Sequence, residues 1–229
     1  MRAADDPLVQ SLRELVRLGD TRGLDDLLSA HPSLALDRYG DAHASGTALH
    51  LATDWPGHFP NIRAAITTLV AAGAPVNGHY AGPHTETPLH WAASSDDVEA
   101  LDALLDAGAD IEADGAVHTG GSPLSDAVVF AQWRAARRLV DRGASMTLWQ
   151  AAALDEEAEL ARLLSTADAS SSDVTNACWH ACRAGALSTA RILAARGADL
   201  DWVGHDGLTP RAAGLASGSD ELAAWLAAS

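Results

Sequence analysis

Thr87–Ala109 reads TPLHWAASSDDVEALDALLDAGA, and the fold turns on this stretch. Thr87 followed by Pro88 is a helix start: the hydroxyl caps free amides, and Pro fits the first helical position. Ala92 and Ala93 let a neighbouring helix approach closely. Polar Ser95-Asp96-Asp97 breaks this short helix and begins a second. There Val98, Leu101, Leu104 and Leu105 share one apolar face. Gly108 ends the second helix in the left-handed cap position. Residues 109–121 then form a long finger that reaches the next helix start. No such unit buries its apolar face alone, so its stability comes from stacking on neighbours.

Near-copies lie on both sides. Upstream is TALHLATDWPGHFPNIRAAITTLVAAGA, Thr47–Ala74. Downstream are SPLSDAVVFAQWRAARRLVDRGA from Ser122 and NACWHACRAGALSTARILAARGA from Asn176. A worn copy, MTLWQAAALDEEAELARLLSTADA, starts at Met146, and a last one, TPRAAGLASGSDELAAWLAAS, starts at Thr209. The unit-ending positions Gly73, Gly108, Gly143, Ala167 and Gly197 are spaced by 35, 35, 24 and 30 residues. At a period of about 33 residues the chain holds nearly seven units. Leu8–Ala35 supplies the remaining helix pair.

The phrase TPLHWAA, with GAD beginning 18 residues after His90, resembles the ankyrin-repeat family, and the likeness covers most of the chain. The resemblance implies an all-α fold, an ankyrin-repeat solenoid of about six to seven stacked helix-turn-helix units with finger loops. It implies one domain over 1–229, with N-terminal capping helices at 8–35 and repeats from about 47, 87, 122, 146, 176 and 209. It also implies that His50 and His90 tie one unit to the next through hydrogen bonds.

Four features depart from the family pattern. The loop WPGHFPN from Trp55 adds five residues between the helices of the first full unit. The finger from Ala74 to Glu86 is long. Between Gly143 and Leu148 there is no finger. Thr166-Ala167 and the run Ser170–Ser172 replace the usual Gly-Ala end of the fifth unit. Enlarged fingers early and lost fingers in the middle point to a shaped site.

Composition narrows the function. The chain has 31 acidic and 15 basic residues and a formal charge of -16. Every basic residue is Arg. Phosphate binding needs a basic face, so nucleic acid is excluded as a partner, and an anionic membrane surface is disfavoured. No apolar run reaches the length of a membrane span, and MRAADDPL lacks a signal-peptide core. A cytoplasmic protein is expected. Aromatics are only 5% of the chain, so Ala, Leu and Val must build the core.

Against that background ten His and seven Trp stand out. Trp149 and Trp179 replace the motif His and are expected to fill the core. The position after the motif His holds Leu51, Trp91, Asp126, Gln150, His180 and Ala213. Three consecutive units therefore place a polar group where apolar contact is expected. Buried polar groups must be partnered or wetted. They either bond to one another and to backbone, or line a pocket. In the second case His180 is a proton carrier and Asp126 an orienting or acid-base group. The fingers add His79, Tyr80, His84, His118, Trp202 and His205, residue types favoured at contact hot spots.

No metal is expected. Cys178, His180 and Cys182 read C-x-H-x-C, but on a helix the Cys pair shares a face and His180 lies nearly opposite. His79 and His84 alone are too few for zinc. No phosphate loop or G-x-S-x-G occurs, and no cofactor is expected. Arg134, Arg137, Arg138 and Arg142 are read as a solvated outer helix face.

Three functions compete: a module that binds a partner protein through its concave face and fingers, a small-molecule binder or unusual small enzyme with His acid-base chemistry, and a purely structural subunit. The first leads. The expected binding residues are Trp55, His79, Tyr80, His84, His118, Asp126, Phe130 and His180. Were the protein an enzyme, His84, Asp126 and His180 would carry the chemistry.

Overall fold

The computed structural model describes residues 1–166 and 168–228. Its backbone is helical, as the repeat pattern predicts. The expected end of the fifth unit at Ala167 lies outside the described residues. The chain divides into two compact units, 1–144 and 145–229. The division falls where the finger between Gly143 and Leu148 is missing.

The first unit opens with α1 (Pro7–Leu18), α2 (Thr21–Ala30) and the single turn α3 (Ser33–Leu36). Three helix pairs follow: α4 (Ala48–Ala52) with α5 (Ile62–Ala71), α6 (Pro88–Ser94) with α7 (Val98–Asp106), and α8 (Pro123–Val129) with α9 (Trp133–Asp141). Leu49, Ile66, Leu69, Leu89, Leu101, Leu104, Leu124 and Leu139 are buried in its core. These are the apolar positions of the repeat. Two short strands, β1 (Tyr39–Gly40) and β2 (Ser45–Gly46), pair antiparallel. Ser45 also bridges Ala81 through two backbone hydrogen bonds, which anchors the 74–86 finger.

The second unit contains α10 (Leu148–Ala153) with α11 (Glu157–Thr166), α12 (Ser171–Ala184) with α13 (Leu187–Ala195), and α14 (Pro210–Ala216) with α15 (Asp220–Ala227). One start differs from the sequence reading. Helix α12 begins at Ser171, not near Asn176, because Ser170 and Asp173 form a capping box on what reads as a polar loop. Helix α10 begins at Leu148, where Thr147 N–H donates to Gln150 Oε1 at 2.8 Å. The polar Gln150 thus serves as a cap.

Helices α6, α8 and α10 each end in a tight loop whose turning residue has positive φ: Asp96 at 55°, Ala131 at 57°, Asp155 at 59°. Asp tolerates this region better than most side chains. Its carboxylate is also used. Asp96 Oδ1 accepts from Ala135 N–H at 2.7 Å, in the first turn of the following repeat's second helix. Asp155 Oδ1 accepts from Thr189 N–H at 2.9 Å in the same way. Helix N-termini leave such amides open, and a carboxylate there also meets the positive end of the helix dipole.

The arginine run of α9 is paired rather than merely solvated. Arg138 and Arg142 reach Asp102 at 2.8 and 2.7 Å, and Arg142 also reaches Asp106 at 2.8 Å. Arg63 meets Asp106 at 2.8 Å, so the ladder crosses α5, α7 and α9. Arg134 stays well exposed, 3.8 Å from Asp96.

Candidate functional site

The motif histidines set the frame. Thr47 N–H donates to His50 Nδ1 at 3.1 Å, so Nδ1 is the acceptor and Nε2 carries the proton. Nε2 donates to the Glu86 carbonyl at 3.1 Å. His90 repeats the pattern, taking Thr87 N–H at 3.1 Å and donating to the Gly121 carbonyl at 3.1 Å. Each histidine therefore caps its own helix and holds the residue just before the next one. Burial lowers both imidazole pKa values, that of His50 to about 4.

The first of these bonds fixes Glu86 at the base of the finger. Its carbonyl also accepts from Tyr80 N–H at 2.7 Å, closing the finger into a hairpin. Gly115, at φ 140°, lets the 109–121 finger pass against Thr85; a Cβ there would lie 2.6 Å from the Thr85 carbonyl oxygen. The Glu86 side chain is only 5% exposed. Trp91 Nε1–H donates to its Oε2 at 3.3 Å, and His84 Nδ1 lies 2.6 Å from the same oxygen, poorly aligned for a hydrogen bond. Tyr80 stacks on His84 with ring centres 4.5 Å apart and planes 6° apart, and tilts against Trp91 at 5.5 Å.

Asp126, from the next helix pair, completes the group. It is 1% exposed, and Oδ1 accepts Val117 N–H at 3.3 Å. Its carboxyl lies against the Glu86 carboxylate, and Oδ2 has no hydrogen-bond partner. Like charges at close range oppose ionisation. Burial first, then the Glu86 contact, pushes the Asp126 carboxyl up to about 8. At neutral pH Asp126 therefore keeps its proton.

A pocket of about 250 Å³ opens over this group, all of it within the first unit. Glu86, His84 and Trp91 line its floor, with Asp54, Thr53, Ser94 and Ser95 along one wall. Its rim is apolar and open: Trp55 is 77% exposed, Val117 39% and Phe130 38%. His118 lies beside Phe130, ring centres 5.5 Å apart. The long 53–61 loop thus supplies one edge and the end of α8 the other.

Of the residues expected from the sequence, Trp55, His84 and Phe130 line this pocket, Asp126 lies behind its floor, and Tyr80 buttresses His84. His118 stands at the rim. His79 is exposed, with Nδ1 bonded to the Thr85 carbonyl at 2.7 Å, and is not among the lining residues. The sequence reading missed Glu86 and did not count Trp91 among the binding residues. An acidic residue directly before a Thr-Pro helix start, one repeat from Asp126, was the available signal.

His180 belongs to the second unit. It packs among Trp149, Trp179 and His205, with ring centres 4.6, 5.0 and 5.6 Å away. Its buried Nδ1 has no hydrogen-bond partner, and burial pushes its pKa down to about 3. It is therefore neutral at pH 7. Trp179 does more than fill the core there: Nε1–H donates to the Leu208 carbonyl at 3.0 Å, just before the Thr209 helix start. That is the tie His50 and His90 make in the first unit. Cys178 and Cys182 are buried in the core of the second unit, where the Cys178 thiol donates to the Ala190 carbonyl at 3.9 Å. Among the described residues no group of three or more His, Cys, Asp or Glu side chains is placed to hold a metal ion.

The ankyrin-repeat family profile matches residues 84–116, the segment that carries the finger base, α6 and α7. No curated protein matches the chain. The crystal structure of the human ASB11 ankyrin repeat domain is similar over 94% of this chain and 96% of that one, with a TM-score of 0.57 and 21% sequence identity. Among the described residues no helix is long and apolar enough to cross a membrane. The chain thus carries an ankyrin repeat at residues 84–116 and has the fold of an ankyrin-repeat domain.

Proposed function

We propose that the protein binds a partner protein, and that the pocket above Glu86 is the centre of the contact. The observation that carries this reading is the open rim of Trp55, Val117 and Phe130 around a floor of buried polar groups. Large exposed aromatics around a desolvated recess are the usual anatomy of a hot spot. At about 250 Å³ the recess suits one inserted side chain, whereas sites for whole small molecules run ~300–1,000 Å³. Ankyrin repeats are generally protein-interaction modules, which agrees with the same reading.

A small-molecule reading has one observation in its favour. The Asp126 carboxyl, pushed up to about 8, is a buried acid available near neutral pH. It makes that carboxyl, rather than His84, the acid-base group of any chemistry in the first unit. The open rim favours the protein partner.

The test places a photo-crosslinking residue at Trp55 or at Phe130, and in a control at Arg134 on the outer face. A partner captured from both rim positions and absent from the control is the expected result. With that partner purified, Trp55→Ala should weaken binding by about 2 kcal/mol. Capture through Arg134 alone would move the contact to the opposite face.

A further inference from the structure

Resting on that reading, we propose that the pocket accepts a cationic side chain of the partner, an arginine or a lysine, seated on the Glu86 carboxylate between Trp55, Trp91 and Phe130.

Charge and shape both lead there. Two lining residues, Glu86 and Asp54, are carboxylic, and no arginine lines the recess. Glu86 accepts a Trp91 N–H, a neutral donor that orients the carboxylate without cancelling its charge. A buried carboxylate lacking a full counter-ion attracts a cation strongly, because the surroundings screen it little. The walls suit the same guest. Aromatic faces attract cations through their ring quadrupole, and the apolar stem of Arg or Lys packs against them. Among the lining side chains only His84 can carry a positive charge. It touches Glu86 Oε2 at 2.6 Å without the alignment of a hydrogen bond. The chain as a whole, at a formal -16, draws basic partners. An inserted acidic side chain would meet Glu86 and Asp54 and be repelled. An apolar one would strand the Glu86 charge in a dry recess.

The probes are Nα-acetyl-arginine amide, Nα-acetyl-lysine amide and the uncharged Nα-acetyl-norleucine amide, titrated into the intact chain while the tryptophan indole N–H signals are followed by NMR. Both cationic probes should shift the Trp55 and Trp91 signals saturably and bind at least about tenfold more tightly than norleucine. In Glu86→Gln, with folding checked by its melting curve, cation binding should drop to the norleucine level while norleucine binding is retained. Should that variant not fold, salt decides on the unaltered chain: rising ionic strength should weaken the cations and spare norleucine. Norleucine binding as tightly as the cations would overturn the inference and leave the docking pocket in place. No movement of either indole with any probe would also overturn it, and the crosslinking experiment then judges the docking site separately.

Discussion

In the first unit His50 and His90 bridge their helix starts to the Glu86 and Gly121 carbonyls, while in the second Trp179 donates to Leu208 at the matching place. Both side chains offer one ring N–H at a similar reach. They differ in what else they do. The histidine also accepts its own helix's first amide through Nδ1, so one residue caps and ties. The indole has no acceptor nitrogen. The second unit therefore separates the two tasks: capping falls to Gln150 and to Ser170 with Asp173, and Trp179 fills volume as it ties. A repeat needs the bond rather than the residue.

The sharpest way to break the comparison is truncation. Trp179→Ala removes a large buried side chain as well as a bond and should cost about 3–5 kcal/mol. His90→Ala should cost about 2–3 kcal/mol, the sum of a lost cap and an unpaired carbonyl. Denaturant unfolding read by amide exchange within each unit checks both; equal costs would mean the tryptophan contributes only its bond.

Acid should separate the ties next. In the first unit His50 is held neutral down to about pH 4, against 6.5 when unfolded. Between those values the unfolded chain binds the extra proton, so stability falls as pH falls. The expected slope is up to about 1.4 kcal/mol per pH unit for one such group, near 2 kcal/mol across the window after solvent relaxation. The Trp179 tie has no proton to gain. Acid acts on the second unit through His180, lowered to about 3, so His180→Gln should blunt the acid response of α12 and leave that of α4 and α6 unchanged. Exchange rates from pH 7 to pH 4 read this directly.

Gly108 and Gly197 close equivalent helices, at φ 91° and 89°, and a Cβ at either would meet nothing within 4 Å. Valine at either should cost about 1–2 kcal/mol through backbone strain alone. Unequal losses would mean that the two units do not share one repeat geometry. The smallest expected effect has the opposite sign. Asp126 binds its proton up to about pH 8, so the folded chain is the more protonated state from pH 4 to 8, and stability falls as pH rises. Asp126→Asn should be more stable than the natural chain by about 1 kcal/mol at pH 8, the two converging near pH 4 in thermal melts.

What the sequence disclosed follows the same line. Bonds local to one repeat were legible, because Thr87-Pro88, His90 and Gly108 lie at fixed spacing. Trp55, His84, Phe130 and Asp126 stood out as residue types an Ala-Leu core does not require. Glu86 did not, because its role depends on a partner forty residues on and on a finger folding back through Tyr80. The tie by Trp179 was hidden for another reason: indole volume explains its burial, and the donor on its edge leaves no mark in the hydrophobic pattern. The early start of α12 was masked by serines, which serve loops and helix caps alike.

The loop aspartates give each unit a reading order. Asp96 closes an amide of the helix that starts at Trp133, and Asp155 one of the helix that starts at Leu187. In each case part of a repeat is written in the sequence of its predecessor. Excising one repeat therefore leaves a scar on the C-terminal side of the cut, where a helix loses a cap it never encoded. A graft from another protein must match that upstream loop as well as the helices it meets. As the chain leaves the ribosome, the cap is already made when the helix that needs it appears.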